Sequence, residues 1–328
     1  MNGDVILRVA SLSKYYRTYK SVFDLKKNII KAVDGVSFEV VRGEIFSVVG
    51  ETGCGKSTLA RLITGLHDRT AGEIYYKGEE LNYKKRRTAF RKNIQIVFQD
   101  PYSSLNPKKK IYKTVTYPAV KNLIISKKDR VDYAASLLKN VGLGENIINS
   151  YPHELSGGQR QRVGIARSLA VSPELLILDE PVSALDVSIS AQVLNLLMDL
   201  REERSMTYIF ITHDLNLVRH MADRVMVMYR GKIMEISTAE DFFKGPAHPY
   251  SVTLYNSMLY HDSGSPAAGG VQKDKGPGTE SESENKGCVY FGRCYAAKEK
   301  CGESEPPLKG TGPKSSASCF FPFIRSGL

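Results

Sequence analysis

Gly50-Glu51-Thr52-Gly53-Cys54-Gly55-Lys56-Ser57, followed by Thr58, is a glycine-rich run ending in Lys-Ser. It lies between a short apolar stretch at 45–49 and the start of a helical pattern, where a phosphate-binding loop has to sit. Glycines let such a loop wrap so that backbone N–H groups point at phosphate oxygens, and the positive end of the following helix adds to the attraction. Lys56 is placed to reach the β- and γ-phosphates of a nucleotide, and the Ser57 hydroxyl to hold Mg²⁺. At Cys54 the geometry asks only for a small side chain. A glycine-rich turn without a ligand would leave the Lys-Ser ending unexplained.

Leu175-Leu176-Ile177-Leu178-Asp179-Glu180 is an apolar run that stops abruptly at two carboxylates. Alone it reads as a strand end with solvated acids. Beside a phosphate loop, Asp179 becomes the expected outer ligand of Mg²⁺, and Glu180 the group that polarises an attacking water. The carboxylate doing that work must be close to the γ-phosphate yet free of the metal. His213 ends another apolar run, 208–212, and a lone histidine there is more often structural.

These side chains need a scaffold. Short apolar runs at 5–9, 45–49, 94–98, 175–178 and 208–212 alternate with helical patterns, the mark of a parallel or mixed sheet covered by helices, an α/β fold. Residues 225–229, turning at Arg230-Gly231 into 232–236, read as a terminal hairpin. Between 107 and 170 the strand signal disappears, and 130–141 and 159–170 carry helical periodicity, so a helical insert interrupts the sheet. After His261 the chain turns rich in Gly, Ser, Pro, Lys and Glu through Gly287, a composition that cannot repay its ordering entropy and reads as a flexible linker. A cysteine-bearing tail follows.

With 328 residues, 42% of them hydrophobic, the chain has material for one large core and an appendage. No run approaches the roughly 18 apolar residues of a membrane span, and residues 1–9 lack the layout of a secretory signal, so a cytoplasmic protein is expected. The formal charge of +11 is spread through runs such as Lys84-Lys85-Arg86-Arg87 and Lys108-Lys109-Lys110. Without aromatic interleaving or a nucleic-acid module, these read as solvated surface, and no nucleic-acid partner is expected.

Leu155-Ser156-Gly157-Gly158-Gln159-Arg160-Gln161-Arg162 resembles the signature of ABC ATPases, which other P-loop proteins lack. Ser156, Gly157, Gly158 and Gln159 open a helix whose positive end can face a phosphate. The resemblance implies that this phosphate belongs to ATP held by a second ABC ATPase subunit, in a head-to-tail dimer. It also implies the fold: a P-loop NTPase core of ABC ATPase type with an N-terminal antiparallel β part, a helical subdomain and a small Cys-rich C-terminal extension. Gln99 resembles the glutamine that senses Mg²⁺ and the γ-phosphate. Ser183-Ala184-Leu185-Asp186 resembles the loop that crosses the dimer interface, and His213 the histidine that contacts the γ-phosphate. Tyr16, beside Tyr15, stands where the family stacks an aromatic ring on adenine.

More specific wording is similar to the dipeptide/oligopeptide permease ATPases: Phe98-Gln99-Asp100-Pro101-Tyr102-Ser103-Ser104-Leu105-Asn106-Pro107, Tyr151-Pro152-His153-Glu154, Asp179-Glu180-Pro181-Val182-Ser183-Ala184-Leu185-Asp186-Val187-Ser188 and His248-Pro249-Tyr250. The Tyr-Ser-Ser wording is closer to the F subunit of such importers. What the resemblance implies is an ATPase that energises uptake of di- or oligopeptides, or of another small solute such as an oligosaccharide or nickel. Its expected partners are a second, different ATPase subunit, two transmembrane permease subunits and, indirectly, an extracytoplasmic solute-binding protein. Its expected place is the cytoplasmic face of the membrane. The expected division is 1–248 for the nucleotide-binding domain, with the helical subdomain at about 107–170, then 249–287 for a family C-terminal segment and linker, and 288–328 for the Cys-rich region.

Of five cysteines, Cys288, Cys294, Cys301 and Cys319 cluster late. In a reducing compartment such a group reads first as a metal or cluster site, and its spacing fits neither standard zinc pairs nor the common ferredoxin run. All-cysteine ligation suits zinc and a [4Fe–4S] cluster alike. The resemblance favours the [4Fe–4S] cluster, since peptide-permease ATPases include members with this cysteine layout that hold one. Its role would be structural or redox-sensing, away from the ATP.

Two rival functions differ in class. A soluble ABC ATPase acting on ribosomes or nucleic acid resembles two fused domains or carries long coiled coils, and neither occurs here. A nucleotide-binding module without turnover is opposed by Glu180 and His213, which a degenerate site often lacks.

Overall fold

The computed structural model describes residues 4–19, 27–82, 87–263 and 286–323. Twelve strands occur among them. They are β1 (Val5–Tyr19), β2 (Lys27–Val41), β3 (Ile45–Val49), β4 (Ala71–Tyr76), β5 (Glu79–Glu80), β6 (Ile94–Val97), β7 (Leu175–Asp179), β8 (Thr207–Ile211), β9 (Arg224–Tyr229), β10 (Lys232–Thr238), β11 (Lys309–Gly312) and β12 (Ser315–Ala317). They form two sheets, ordered β2-β1-β4-β5 and β11-β12-β10-β9-β3-β8-β7-β6. The first is antiparallel throughout. In the second, β9, β3, β8, β7 and β6 run parallel, while β10, β12 and β11 add antiparallel edges.

The central parallel strands β3, β7 and β8 are buried on both faces, as strands covered by helices must be. Successive side chains alternate between the faces and so enter different cores. Phe46, Val48, Ile177, Ile209 and Ile211 pack with Leu59 and Ile63 of the helix Lys56–Ile63 and with the first sheet. Ile45, Leu176, Leu178, Tyr208 and Phe210 pack with Leu137, Leu138, Val163 and Leu197 from the helices Arg130–Asn140, Gly157–Leu169 and Val187–Arg204. The expected helical insert is present, with helices Ile111–Val115 and Tyr117–Lys121 ahead of those at 130–140 and 157–169.

Two expectations need correction. The strand expected at 5–9 continues to Tyr19, because β1 is held by pairing with β2 along its length, from Val5↔Val41 to Tyr19↔Lys27. The hairpin at 225–236 has the expected turn, with Arg230 and Gly231 at φ 45° and 81°, as a two-residue hairpin turn requires. It is not terminal, because Glu235 and Ile236 of β10 pair with Ala317 and Ser316, so the cysteine tail extends the sheet. A third core joins Val49 and Tyr229 to Phe242, Tyr250, Tyr290 and Cys294, seating the tail against the strand that leads into the phosphate loop. Of the linker expected after His261 through Gly287, Asp262 and Ser263 end the helix Pro249–Ser263, and 264–285 lie outside the described residues, as does Lys84-Lys85-Arg86 of the first basic run. Among the described residues no helix is long and apolar enough to cross a membrane.

Candidate active site

Four neighbouring parallel strands deliver the predicted chemistry at one end of the sheet. The loop at 50–57 follows β3, His213 follows β8 by one residue beyond Thr212, Asp179 ends β7 and Gln99 follows β6. The carboxyl ends of parallel strands are where open α/β sheets bind ligands.

Within the loop, Gly50 and Gly55 have φ of 150° and 111°, and a Cβ on them would lie 2.1 Å from the carbonyl oxygens of Met228 and Ala32 respectively. Backbone packing therefore demands glycine at both. Gly53 is also left-handed, at φ 83°, but faces open space. Cys54 is buried, and burial raises its thiol pKa. Lys56 is buried as well, and its ammonium donates to the carbonyls of Gly50 at 2.6 Å and Glu51 at 3.0 Å and approaches the Cys54 Sγ at 3.7 Å. Its three N–H groups are thus satisfied inside the loop, and phosphate oxygens would have to replace these acceptors. Thr58 lies half-buried as the third residue of the helix.

Ser57 Oγ donates to Asp179 Oδ1 at 3.0 Å, so the two expected Mg²⁺ partners already touch. Burial raises the Asp179 pKa against the opposing Ser57 hydrogen bond. Glu180 accepts from the Gln99 amide at 2.9 Å, and His213 Nδ1 lies 3.3 Å from its other oxygen. Glu180 has φ 47°, a left-handed conformation costing a non-glycine residue about 1 kcal/mol or more, with its N–H donated to Ile211. Strain of this kind collects at functional sites.

The signature lies elsewhere on the chain. Ser156 caps the helix Gly157–Leu169 by accepting from the Gln159 N–H, while the Gln159 side chain accepts from the Ser156 N–H, a reciprocal capping box. Asp186 likewise caps Val187–Arg204 by accepting from Ile189. Among the described residues, no hydrogen bond or ion pair joins Ser156, Gly157, Gly158, Gln159 or Asp186 to the loop at 50–57. Tyr16 donates to or accepts from His67 at 2.8 Å, and Tyr15 donates to Asp34, as neighbours on a strand facing opposite sides.

The tail contradicts its expected distance from the nucleotide site. Arg293 forks onto the Glu51 carboxylate with two 3.0 Å hydrogen bonds, and the Glu51 N–H donates to the Tyr250 hydroxyl at 3.0 Å. Sequence reasoning missed Arg293 and gave Tyr250 only as part of the family wording, although an acid inside a phosphate loop signals the need for a cation. Cys288, Cys294, Cys301 and Cys319 are free thiols bordering one cavity with His248, Tyr290 and Phe320. Burial pushes the Cys288 thiol up to about 11, with the other three adding to it. Among the described residues, no three His, Cys, Asp or Glu side chains stand as a group that could hold a metal ion.

A β3–loop–helix unit with Ser-Asp pairing behind it and a separately capped signature helix defines a P-loop ATPase of the ABC class. The ABC transporter family model matches residues 33–183, and the model for the oligopeptide/dipeptide transporter C-terminal region matches 234–301. The chain is 43% identical to the oligopeptide transport ATP-binding protein AppF of Bacillus subtilis, over 97% of this chain and 98% of that one. It is 44% identical to the dipeptide transport ATP-binding protein DppF of Haemophilus influenzae, over 96% of each. Among solved structures it is similar to the dimeric post-hydrolysis state of the ATP-binding cassette MJ0796 bound to ADP and Pi, with TM-score 0.63 and 30% identity over 71% of this chain and 98% of that one. The chain belongs to the ABC transporter ATP-binding subunits, in their oligopeptide/dipeptide branch. It is an ATPase whose turnover is coupled to transport by membrane-spanning partners.

Proposed function

We propose that this subunit powers uptake of di- or oligopeptides from the cytoplasmic face of the membrane, pairing head to tail with a different ATPase subunit beneath two permease subunits fed by a solute-binding protein. The observation that carries the reading is the union of Lys56, Ser57, Asp179, Glu180, Gln99 and His213 at one sheet end, while among the described residues no hydrogen bond or ion pair joins the capped signature residues 156–159 to the phosphate loop. Such a half-site is completed by a second cassette. Loop N–H groups from Gly50 to Ser57, with Thr58 behind, and the Lys56 ammonium grip the phosphates, while Tyr16 takes the adenine. Ser57, Asp179 and Gln99 would hold Mg²⁺, which would supply neutralising charge at the phosphates. Glu180 polarises the water, held in place by Gln99 and His213. Ser156, Gly157, Gly158, Gln159 and Asp186 cap the nucleotide across the interface. The nucleotide-binding domain is assigned to 1–248, the helical subdomain to about 107–170, the family segment and linker to 249–287, and the Cys-rich region to 288–328.

The four tail thiols are assigned to a [4Fe–4S] cluster. The donor set fits, since all four are unoxidised cysteines around one cavity, and the side chains have to converge to hold it. The cluster would supply a cross-link for a segment whose own strands are only three and four residues long.

Light scattering of Glu180→Gln with its natural partner subunit tests the motor reading: MgATP should drive pairing, and no nucleotide-dependent pairing would overturn it. Anaerobic purification with iron analysis and a visible spectrum tests the tail; a colourless, zinc-loaded protein would overturn the cluster.

A further inference from the structure

Glu51 is the only acid between Gly50 and Ser57, in a loop read here as the seat of a polyphosphate. Left unpaired, its charge would repel the ligand. Every polar group of this residue is instead committed. Its carbonyl accepts from Lys56, its N–H donates to the Tyr250 hydroxyl, and its carboxylate takes the two-pronged Arg293 guanidinium. Two of these three partners come from the C-terminal part of the chain.

Arg293 is itself fixed. It lies in the 3₁₀ turn Phe291–Arg293, its guanidinium carbon is 5.6 Å from the centre of the Tyr229 ring, and Nη1 lies 3.4 Å from the Tyr229 hydroxyl. Tyr229 ends the strand beside β3, so the same ring touches the sheet and the guanidinium. On the other side, Cys294 directly follows Arg293 and donates its N–H to Tyr290, within the wall of the cysteine cavity. A forked arginine–carboxylate pair adds geometric constraint as well as charge.

We propose that Arg293 is a positioning residue of the ATP site: from the cysteine-bearing extension it neutralises Glu51 and fixes the start of the phosphate-binding loop. The proposal rests on the reading of that loop as the ATP site. Arg293 touches no substrate and acts through Glu51. Because coupling is reciprocal, nucleotide that orders the loop also orders the turn beside Cys294.

A double-mutant cycle on the full-length protein tests this, with the Kd for a fluorescent ATP analogue and Mg²⁺ measured for the wild type, Arg293→Gln, Glu51→Gln and the double variant. Arg293→Gln should weaken binding about 3- to 30-fold, as partly exposed charge pairs and positioning contacts do. In the Glu51→Gln background the same change should alter Kd less than about two-fold, because the partner is gone. Arg293→Lys keeps the charge without the fork and should bind between the wild type and Arg293→Gln. A melting curve without nucleotide separates general destabilisation, which would lower the melting point of Arg293→Gln equally in both backgrounds. An unchanged Kd in Arg293→Gln and Arg293→Lys, or an equal loss with and without Glu51, overturns the proposal. A wild type that does not bind the nucleotide overturns the ATP-site reading first, and this one with it.

Discussion

The Glu180 carboxylate stands 2.9 Å from the Gln99 amide nitrogen, across the gap between the ends of two neighbouring parallel strands. His213, 3.3 Å from the other carboxylate oxygen, completes a three-residue arrangement in which each member comes from a different strand end. A carboxylate held from both sides keeps one orientation, which a water-activating group needs.

Turnover should therefore respond steeply to Glu180 and more gently to its supports. Glu180→Gln is expected to lower kcat by about 10²–10⁴, the range for a lost general base, with ATP affinity retained. His213→Ala and Gln99→Ala should each cost less, because the carboxylate survives. Steady-state ATPase assays beside nucleotide titrations check this, and a Glu180→Gln variant that still turns over at the wild-type rate would remove Glu180 from its role.

How much of this was readable from residues in order depends on the range of the interaction. The runs at 45–49, 175–178 and 208–212 announce buried strands through their predominance of Val, Ile, Leu and aromatic residues, and the loop, Asp179 and His213 follow them directly. β11 and β12 carry no such signal. Lys309–Gly312 and Ser315–Ala317 are, apart from Thr311, composed of weak strand formers and exist as strands by pairing with each other and with β10. Arg293 and Glu51 are 242 residues apart, so no local pattern links them. The adjacent Tyr15 and Tyr16 are equivalent in sequence, and only the strand's register turns one toward Asp34 and the other toward His67.

Lys56 offers a test that separates binding from folding. Among the described residues its ammonium is held by the carbonyls of Gly50 and Glu51 and by the Cys54 Sγ, with no ion pair, so Lys56→Ala removes a buried charge as well as the phosphate contact. ATP affinity should fall by at least about 10²-fold, the scale of a lost charge-assisted contact to phosphate, while the melting temperature without nucleotide stays level or rises. Calorimetric titration and a thermal melt on the same sample give both numbers.

Asp34 sets a pH dependence. Burial alone would raise its pKa, but the hydrogen bond from Tyr15 and the ammonium of Lys232 outweigh burial and hold it below the usual value. The folded pKa is below the unfolded one, so the unfolded chain takes the proton first. This contribution to stability is therefore complete above about pH 4, the unfolded aspartate value, and is lost as pH falls further. In urea melts the advantage of the wild type over Asp34→Asn should be constant from pH 5 to 8 and shrink below about pH 4. Because the Asp34 carboxylate pairs with Lys232, which follows Gly231, whose N–H donates to the Cys54 carbonyl, the same variant should loosen the phosphate loop from below.

Gly157 and Gly158 are adjacent in the signature, yet the structure gives them different reasons to be glycine. A Cβ at Gly157 would meet Leu185 Cδ2 at 3.5 Å, an ordinary contact, whereas one at Gly158 would meet Ile189 Cγ2 at 2.4 Å. Ile189 belongs to the helix Val187–Arg204, and its β-branched side chain has little rotamer freedom there, so the two helices would have to separate. Gly158→Ala should cost about 1–3 kcal/mol of stability through overpacking, and Gly157→Ala less than about 0.5 kcal/mol. Trimming the obstacle should undo the damage, so Gly158→Ala combined with Ile189→Ala ought to be more stable than the sum of the two single changes. Denaturant melts of the four proteins decide it. Simple additivity would show that the close approach of the helices is not what requires glycine at 158.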